Sequence, residues 1–368
     1  MGAALQDVQR TSVEFVADDL GRARDRRRTL VWVLGLGVGL LLTMVAGVAI
    51  GAVAISPGTV AAIVGHHTIG VPAEATWTTS DASIVWQVRL PRVLLGAAVG
   101  AGLAVSGVAL QAMVRNVLAD PYLLGVTSGA STGAAAAILF GVGAAFGANA
   151  LAGSAFLGAM GASVGVFLVA RAAGRVTSVR LLLAGVAVGY ALYAATNFLI
   201  FASGSAEGAR SVLFWLLGSL SLARWSSPLV VTIVVVLVTV LALLASGRRL
   251  DALAIGDETC LTLGTSPTRL RAQLLVLVSM CVGTVVAAAG GIGFVGLVIP
   301  HVARRFVGAS HVRVVPVAAL LGAVFLVWAD VAARTLLQPR ELPIGIITAL
   351  VGAPFLLVLV RRFHAASD

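Results

Sequence analysis

Lysine is absent from this chain, and charge of either sign is sparse: 25 arginines and 15 acids in 368 residues, or 11% charged. Without lysine there is no G-x-x-x-x-G-K-[ST] phosphate loop, so the chain has no nucleotide-hydrolysing site of that kind. No H-E-x-x-H pair and no Gly-x-Ser-x-Gly elbow occurs. The five histidines, His66, His67, His301, His311 and His364, are scattered. These absences argue against an enzyme: no catalytic residue, no metal site and no cofactor bound by this chain is expected. There are two cysteines, Cys260 in a polar segment and Cys281 inside an apolar run, which predicts no disulfide between them. Alternating ten-residue strands of the membrane-barrel type are also missing.

What fills the chain is apolar: 59% of its residues are hydrophobic. A bilayer-spanning helix needs roughly 20 mostly apolar residues, and the chain offers about ten such runs. They lie near 30–55, 92–114, 122–141, 150–172, 180–203, 227–246, 272–290, 297–308, 314–334 and 343–362. In hydrocarbon each run must close its own backbone hydrogen bonds, so each is expected to be a helix. The predicted fold class is all-α: a polytopic transmembrane bundle of about ten spans. Residues 1–28 read as a tail, 29–363 as the membrane domain and 364–368 as a second tail. The first run is too long for a cleaved signal and reads as a retained anchor.

The net charge of +10 forms no single patch, which excludes nucleic acid as a partner. The arginines sit at the ends of apolar runs, as the positive-inside rule expects. Arg24, Arg26, Arg27 and Arg28 precede the first span, and Arg248, Arg249, Arg269, Arg271, Arg304 and Arg305 fall on the same side. Arg89, Arg92, Arg210, Arg224, Arg334 and Arg340 fall on the other. Both termini are therefore expected in the cytoplasm, in the cytoplasmic (inner) membrane of a bacterium.

Several segments interrupt the pattern. The run Gly296–Phe306 is short, contains Pro300 and ends at Arg304 and Arg305, which predicts a short or broken helix. The stretch Ser56–Gln87, with two prolines, two tryptophans and His66-His67, reads as a re-entrant or surface segment. Glycine pairs at four-residue spacing, Gly96/Gly100, Gly125/Gly129/Gly133 and Gly185/Gly189, predict close helix packing. Asp330 is the one acid well inside an apolar run; Arg334 lies one turn on and can pair with it. Arg89-Leu-Pro-Arg92, with Arg334 on the same side, reads as a positive site for an acidic protein or an anion.

The polar island Leu250–Arg271 is the most distinctive of these segments. Leu250, Leu253 and Ile255 interleave with Asp251, Asp257 and Glu258; Leu261, Leu263 and Gly264 follow, before Ser266-Pro267. That pattern predicts two short amphipathic helices with a glycine hinge, leaving leucines for a docking partner to cover.

These blocks also carry a family resemblance. Arg89-Leu-Pro-Arg92, Leu118-Ala-Asp-Pro121, Leu124-Gly-Val-Thr-Ser-Gly-Ala130 and Phe214-Trp-Leu-Leu-Gly-Ser-Leu220 appear in order. Leu253-Ala-Ile-Gly-Asp-Glu258, the run Gly291–Arg304 with Gly-Phe-Val-Gly-Leu-Val-Ile-Pro-His301, and Glu341–Pro354 follow them. The chain resembles the FecCD-type permeases of ATP-driven importers for iron-siderophores, haem and cobalamin.

The resemblance implies a pathway between two permeases, this chain with a second copy or a paralogue. It implies two ATP-binding cassette subunits, which carry ATP and Mg, and an external substrate-binding protein. It places binding-protein docking on Arg89, Arg92 and Arg334. It places ATPase coupling on Leu250, Asp251, Leu253, Gly256, Asp257, Glu258, Leu263 and Gly264. The cytoplasmic gate falls on Asn116, Leu118, Thr177 and Ser178, and Val117 stands where the family usually has proline. Among bulky metal chelates the expected cargo is an iron-siderophore first, with haem or cobalamin as the alternative. A secondary transporter working without ATP would need intramembrane ions or a filter that the spans lack, and a scaffold would have no use for the short eighth run.

Overall fold

The computed structural model describes residues 21–365 apart from positions 52, 173 and 175. Most of the N-terminal tail (1–20) and the end of the C-terminal one (366–368) lie outside the described residues. Among the described residues the regular structure is all helical: α1 Arg22–Ala49, α2 Pro57–Ile69, α3 Thr79–Ala82, α4 Leu90–Val114, α5 Val126–Phe140, α6 Ala150–Ala172, α7 Ser178–Ala202 and α8 Ala206–Leu216. It continues with α9 Ser227–Ala245, α10 Gly247–Ile255, α11 Asp257–Thr262, α12 Pro267–Ala289, α13 Val295–Val307, α14 His311–Thr335 and α15 Ile344–Ala365. A π turn, Ser83–Arg89, joins α3 to α4.

Among the described residues seven helices are long and apolar enough to cross a membrane: Ala23–Ala49, Thr79–Val114, Ala144–Ala172, Ser178–Ala202, Ser227–Ala245, Pro267–Ala289 and His311–Thr335. Val126–Phe140 and Ile344–Leu359 are apolar but shorter. At 13 residues, α13 extends only about 20 Å.

The bundle is organised around α4, which is buried along most of its length. Glycines let its neighbours close on it, as the four-residue spacings predict. A Cβ on Gly100 would lie 2.7 Å from the Gly322 carbonyl carbon of α14. One on Gly107 would lie 2.6 Å from the Gly296 carbonyl carbon of α13. Gly129 and Gly133 meet α6 in the same way, while Gly125 rests against Gly185 and Gly189 of α7.

That close α4–α13 approach explains why Pro300 does not break its helix. A helical proline leaves the carbonyl four residues back without a donor. Here that group is the Gly296 oxygen, and the Gln111 amide of α4 donates to it at 3.3 Å. So α13 is short but unbroken, and it runs past Arg304 and Arg305 to Val307.

Three stretches without α-helix, 217–226, 290–294 and 336–343, satisfy part of their backbone through one another and the adjoining helix ends. Ser219 N donates to Ala289 O at 2.8 Å, Ile344 N to Gly218 O at 3.2 Å and Gly345 N to Leu217 O at 3.0 Å. Irregular backbone amid membrane helices survives where protein buries it or where it lines a cavity. These stretches do both, since Gly218, Ser219, Gly290 and Glu341 border a cavity of about 870 Å³. The segment 56–87 folds onto this end of the bundle. Val60 and Ile63 are buried with Val48, Val85 and Val327, while Trp86 stacks on His67 at 4.5 Å and packs on Trp225 at 5.1 Å.

Candidate functional site

α4 and α14 each run the length of the bundle, about 37 Å at 1.5 Å per residue. Their ends separate two clusters of sequence-predicted residues. Arg92 and Arg334 lie at one end; Met113 and His311, which touch the polar island, lie at the other.

At the first end the structure brings Arg89, Arg92 and Arg334 together, but buries all three at 6–8% exposure. The reason lies in α1. Its last carbonyls have no intrahelical donors, and two guanidiniums supply them. Arg89 donates to Val48 O, Ala49 O and Val53 O, while Arg334 donates to Gly47 O and Ile50 O. Gly51 has no Cβ, which would otherwise meet the Arg89 guanidinium.

Asp330 pairs with Arg334 at 3.0 Å, as the one-turn spacing predicts. It also receives Arg92 through Nε and Nη2, both at 2.9 Å. The remaining nitrogen of Arg92 reaches Glu341 at 3.0 Å. The cluster thus holds three arginines and two carboxylates, and Glu341, 46% exposed, is its one surface member. Glu341 went unread because its partner lies 249 residues away and its own segment is irregular.

At the opposite end the island folds as two short helices, α10 and α11, joined at Gly256. One expectation fails here. Leu250 and Leu253 are fully buried, not presented to a partner. They face α4 and α14, and each contributes about 1.5–3 kcal/mol by leaving water. The exposed apolar residues are Ile255 at 72%, Leu261 at 51% and Leu263 at 67%, with Glu258 beside them.

Asp251 fixes α10 to the start of α14. Its carboxylate accepts from His311 N at 2.8 Å, from Ser310 Oγ at 3.1 Å and contacts His311 Nδ1 at 2.6 Å. Burial pushes this carboxyl up, but the His311 and Ser310 contacts outweigh it and hold it below its ordinary value. It acts as a cap supplied from 59 residues upstream of Ser310.

The expected gate residues form two turns. Arg115 ends α4 in the left-handed region (φ 52°), and Asn116 Oδ1 accepts from Leu118 N at 2.9 Å. This side-chain bond closes the turn around Val117. Across from it Thr177 caps α7, and the buried Ser178 hydroxyl donates to Met113 O at 3.2 Å.

Arg271 joins these turns to the island. Its carbon chain and guanidinium are 1% exposed, and it binds Asp257, Ser178, Met113 O and Val176 O. Sequence reading counted it only as a positive charge near a span. The available signal was position: Arg271 is the fifth residue of a membrane-length helix, where a charge needs a protein partner. Gln111 was missed for a related reason. Its amide donates to Ala119 O and Gly296 O and accepts from Arg304, so it fastens α13 and the 115–120 turn to α4.

The sequence profile of the FecCD transport family matches residues 39–362. The cobalamin import system permease protein BtuC of Halobacterium salinarum is 42% identical over 278 residues, 76% of this chain and 73% of that protein. The hemin transport system permease protein HmuU of Yersinia pestis is 38% identical over 292 residues, 78% of this chain and 86% of that one. A solved structure described as an inward-facing conformation of a metal-chelate type ABC transporter superposes with a TM-score of 0.78 at 34% identity, covering 90% of this chain and 98% of its own.

Proposed function

Because this chain belongs to the FecCD transport family, the permease subunits of ABC importers, we propose that its α10–α11 end receives the ATPase and its Arg92–Glu341 end receives the substrate-binding protein. As a permease subunit it has no ATPase site of its own, and it works by alternating access within a permease, ATPase and binding-protein assembly. In our reading two permeases, identical or paralogous, and two ATPase subunits make the working unit. Ten helices cross the membrane, α5, α13 and α15 with the seven long ones, and both termini face the cytoplasm. The membrane is the cytoplasmic membrane of a prokaryote; an archaeal relative widens the bacterial assignment expected from sequence.

The cargo is a bulky metal chelate. The named relatives favour a corrinoid or haem, and move the iron-siderophore from first place to second.

One observation carries the coupling assignment: Ile255 stands exposed at the end of α10, which Leu250, Leu253 and Asp251 anchor to the bundle, and Leu261 and Leu263 stand exposed on and just after the adjoining α11. An exposed apolar patch outside the long spans is what a partner can grip. At the other end, three arginines against two carboxylates leave one positive charge in excess, which supports an acidic partner there. Arg92 would be reached by way of Glu341, the exposed member of its pair.

Replacing Ile255 and Leu261 with glutamate tests the coupling assignment. Anchors of this kind contribute about 2 kcal/mol each or more, so losing both is expected to weaken ATPase association roughly 1,000-fold. Co-purification of the ATPase with the permease is expected to be lost, at an unchanged thermal-unfolding midpoint. Undiminished co-purification would move the ATPase surface elsewhere.

A further inference from the structure

The Arg271 guanidinium has five N–H donors, and all five are engaged. Nε donates to Met113 O at 3.2 Å; Nη1 donates to Val176 O at 3.3 Å and to Asp257 Oδ2 at 2.8 Å. Nη2 donates to Ser178 Oγ at 3.0 Å and to Asp257 Oδ1 at 2.6 Å. The acceptors come from four places: the end of α4, the strand of chain before α7, the first residue of α7, and the first residue of α11. A planar fork with fixed donor directions can hold four segments in one relation, and a single ammonium cannot.

The node is asymmetric. Arg271 is 1% exposed, whereas the Asp257 side chain is 37% exposed and opens α11, the helix that carries Leu261. α10 is held at its other end by buried Leu250 and Leu253 and by the Asp251 cap, while Gly256 separates it from α11 in extended backbone (φ 166°, ψ 164°). A push on α11 therefore meets a joint at Gly256 and a rod at Asp257–Arg271. Either it carries the guanidinium, and with it Met113 O and Ser178, or it breaks a bidentate charge pair with one buried member.

We propose that Arg271 is the positioning residue through which displacement of α11 reaches the turns at Asn116–Leu118 and Thr177–Ser178, with Asp257 as the releasable end of the rod. This rests on the reading of α10–α11 as the ATPase surface.

The test uses the complex with its ATPase subunits in lipid nanodiscs. Val117 is 42% exposed, and Val117→Cys serves as a thiol reporter on the first turn. Native Cys260 and Cys281 are fully buried here, and the complex lacking the position-117 cysteine measures any background, including from Cys260 on α11. Maleimide labelling at position 117 is expected to change rate between ATP-free and ATP-trapped complexes. In Arg271→Lys that difference is expected to be lost while ATP hydrolysis and co-purification persist, and in Asp257→Asn the difference is expected to be lost as well.

Should Arg271→Lys fail to fold, Asp257→Asn at the half-exposed end carries the same test. A nucleotide-dependent change of wild-type size in either variant overturns the proposal. If the ATPase also stays bound to the Ile255→Glu/Leu261→Glu variant, it is the docking surface that fails. If the ATPase is lost there and the labelling change survives in Arg271→Lys, only the role of Arg271 fails.

Discussion

Asp330→Ala is expected to destabilise the protein by about 3–5 kcal/mol, the cost of removing one member of a buried ion pair. Its carboxylate is 2% exposed and holds both Arg92 and Arg334. Alanine would leave two guanidiniums at 7–8% exposure with lone carbonyls and Glu341 as their acceptors. The same two arginines link α4, α14 and the end of α1, so the loss spreads over three helices.

Glu341→Gln supplies the contrast. At 46% exposure this carboxylate is solvated and screened, and its removal is expected to cost under about 1 kcal/mol. Thermal unfolding of both variants in the same detergent or nanodisc checks the pair. Equal losses would mean that burial of Asp330 does not set its worth.

Among the described glycines, Gly107→Ala is expected to be the most damaging added methyl. The added Cβ would sit 2.6 Å from the Gly296 carbonyl carbon and 2.7 Å from its Cα, closer still to the oxygen. These are backbone atoms, so no rotamer change relieves them. α13 must move off α4, and the Gln111–Gly296 bond that compensates for Pro300 stretches with it. Overpacking costs about 1–3 kcal/mol where side chains yield, and here the expected loss is at or above the top of that range.

Gly96→Ala is the control, because its nearest neighbour is a leucine methyl, Leu220 Cδ1 at 3.1 Å. It is expected to be nearly neutral. If the two variants unfold at the same temperature, the tight α4–α13 approach is not the constraint argued above.

The helices were largely legible in the sequence, because an apolar run bounded by arginine fixes a span without reference to anything else. Nine of the ten runs coincide with a helix to within five residues, α5 and α13 included, while the first, 30–55, is offset from α1 Arg22–Ala49 by eight residues at its start and six at its end. Short α8 escaped: eleven residues with Glu207 and Arg210 near their start carry no span signal. Pairings in space escaped too. Nothing in the sequence links Arg92 to Glu341, or Asp251 to His311, across 249 and 60 residues.

The island shows the limit of pattern reading most clearly. Alternating leucines and acids revealed two amphipathic helices and their hinge, but not which side faced inward. Leu250 and Leu253 turned to the core, and Ile255, Leu261 and Leu263 remained outside. Arg271 looked like one more interfacial charge until its acceptors were in view.

Uptake into proteoliposomes tests the central claim most directly. The permease is reconstituted with its ATPase subunits, and an external binding protein loaded with cobalamin or haem is supplied. Accumulation of the chelate in the lumen is expected to require ATP on the ATPase side and to be abolished by Ile255→Glu/Leu261→Glu. Accumulation that proceeds without ATP or without the ATPase subunits would contradict the account.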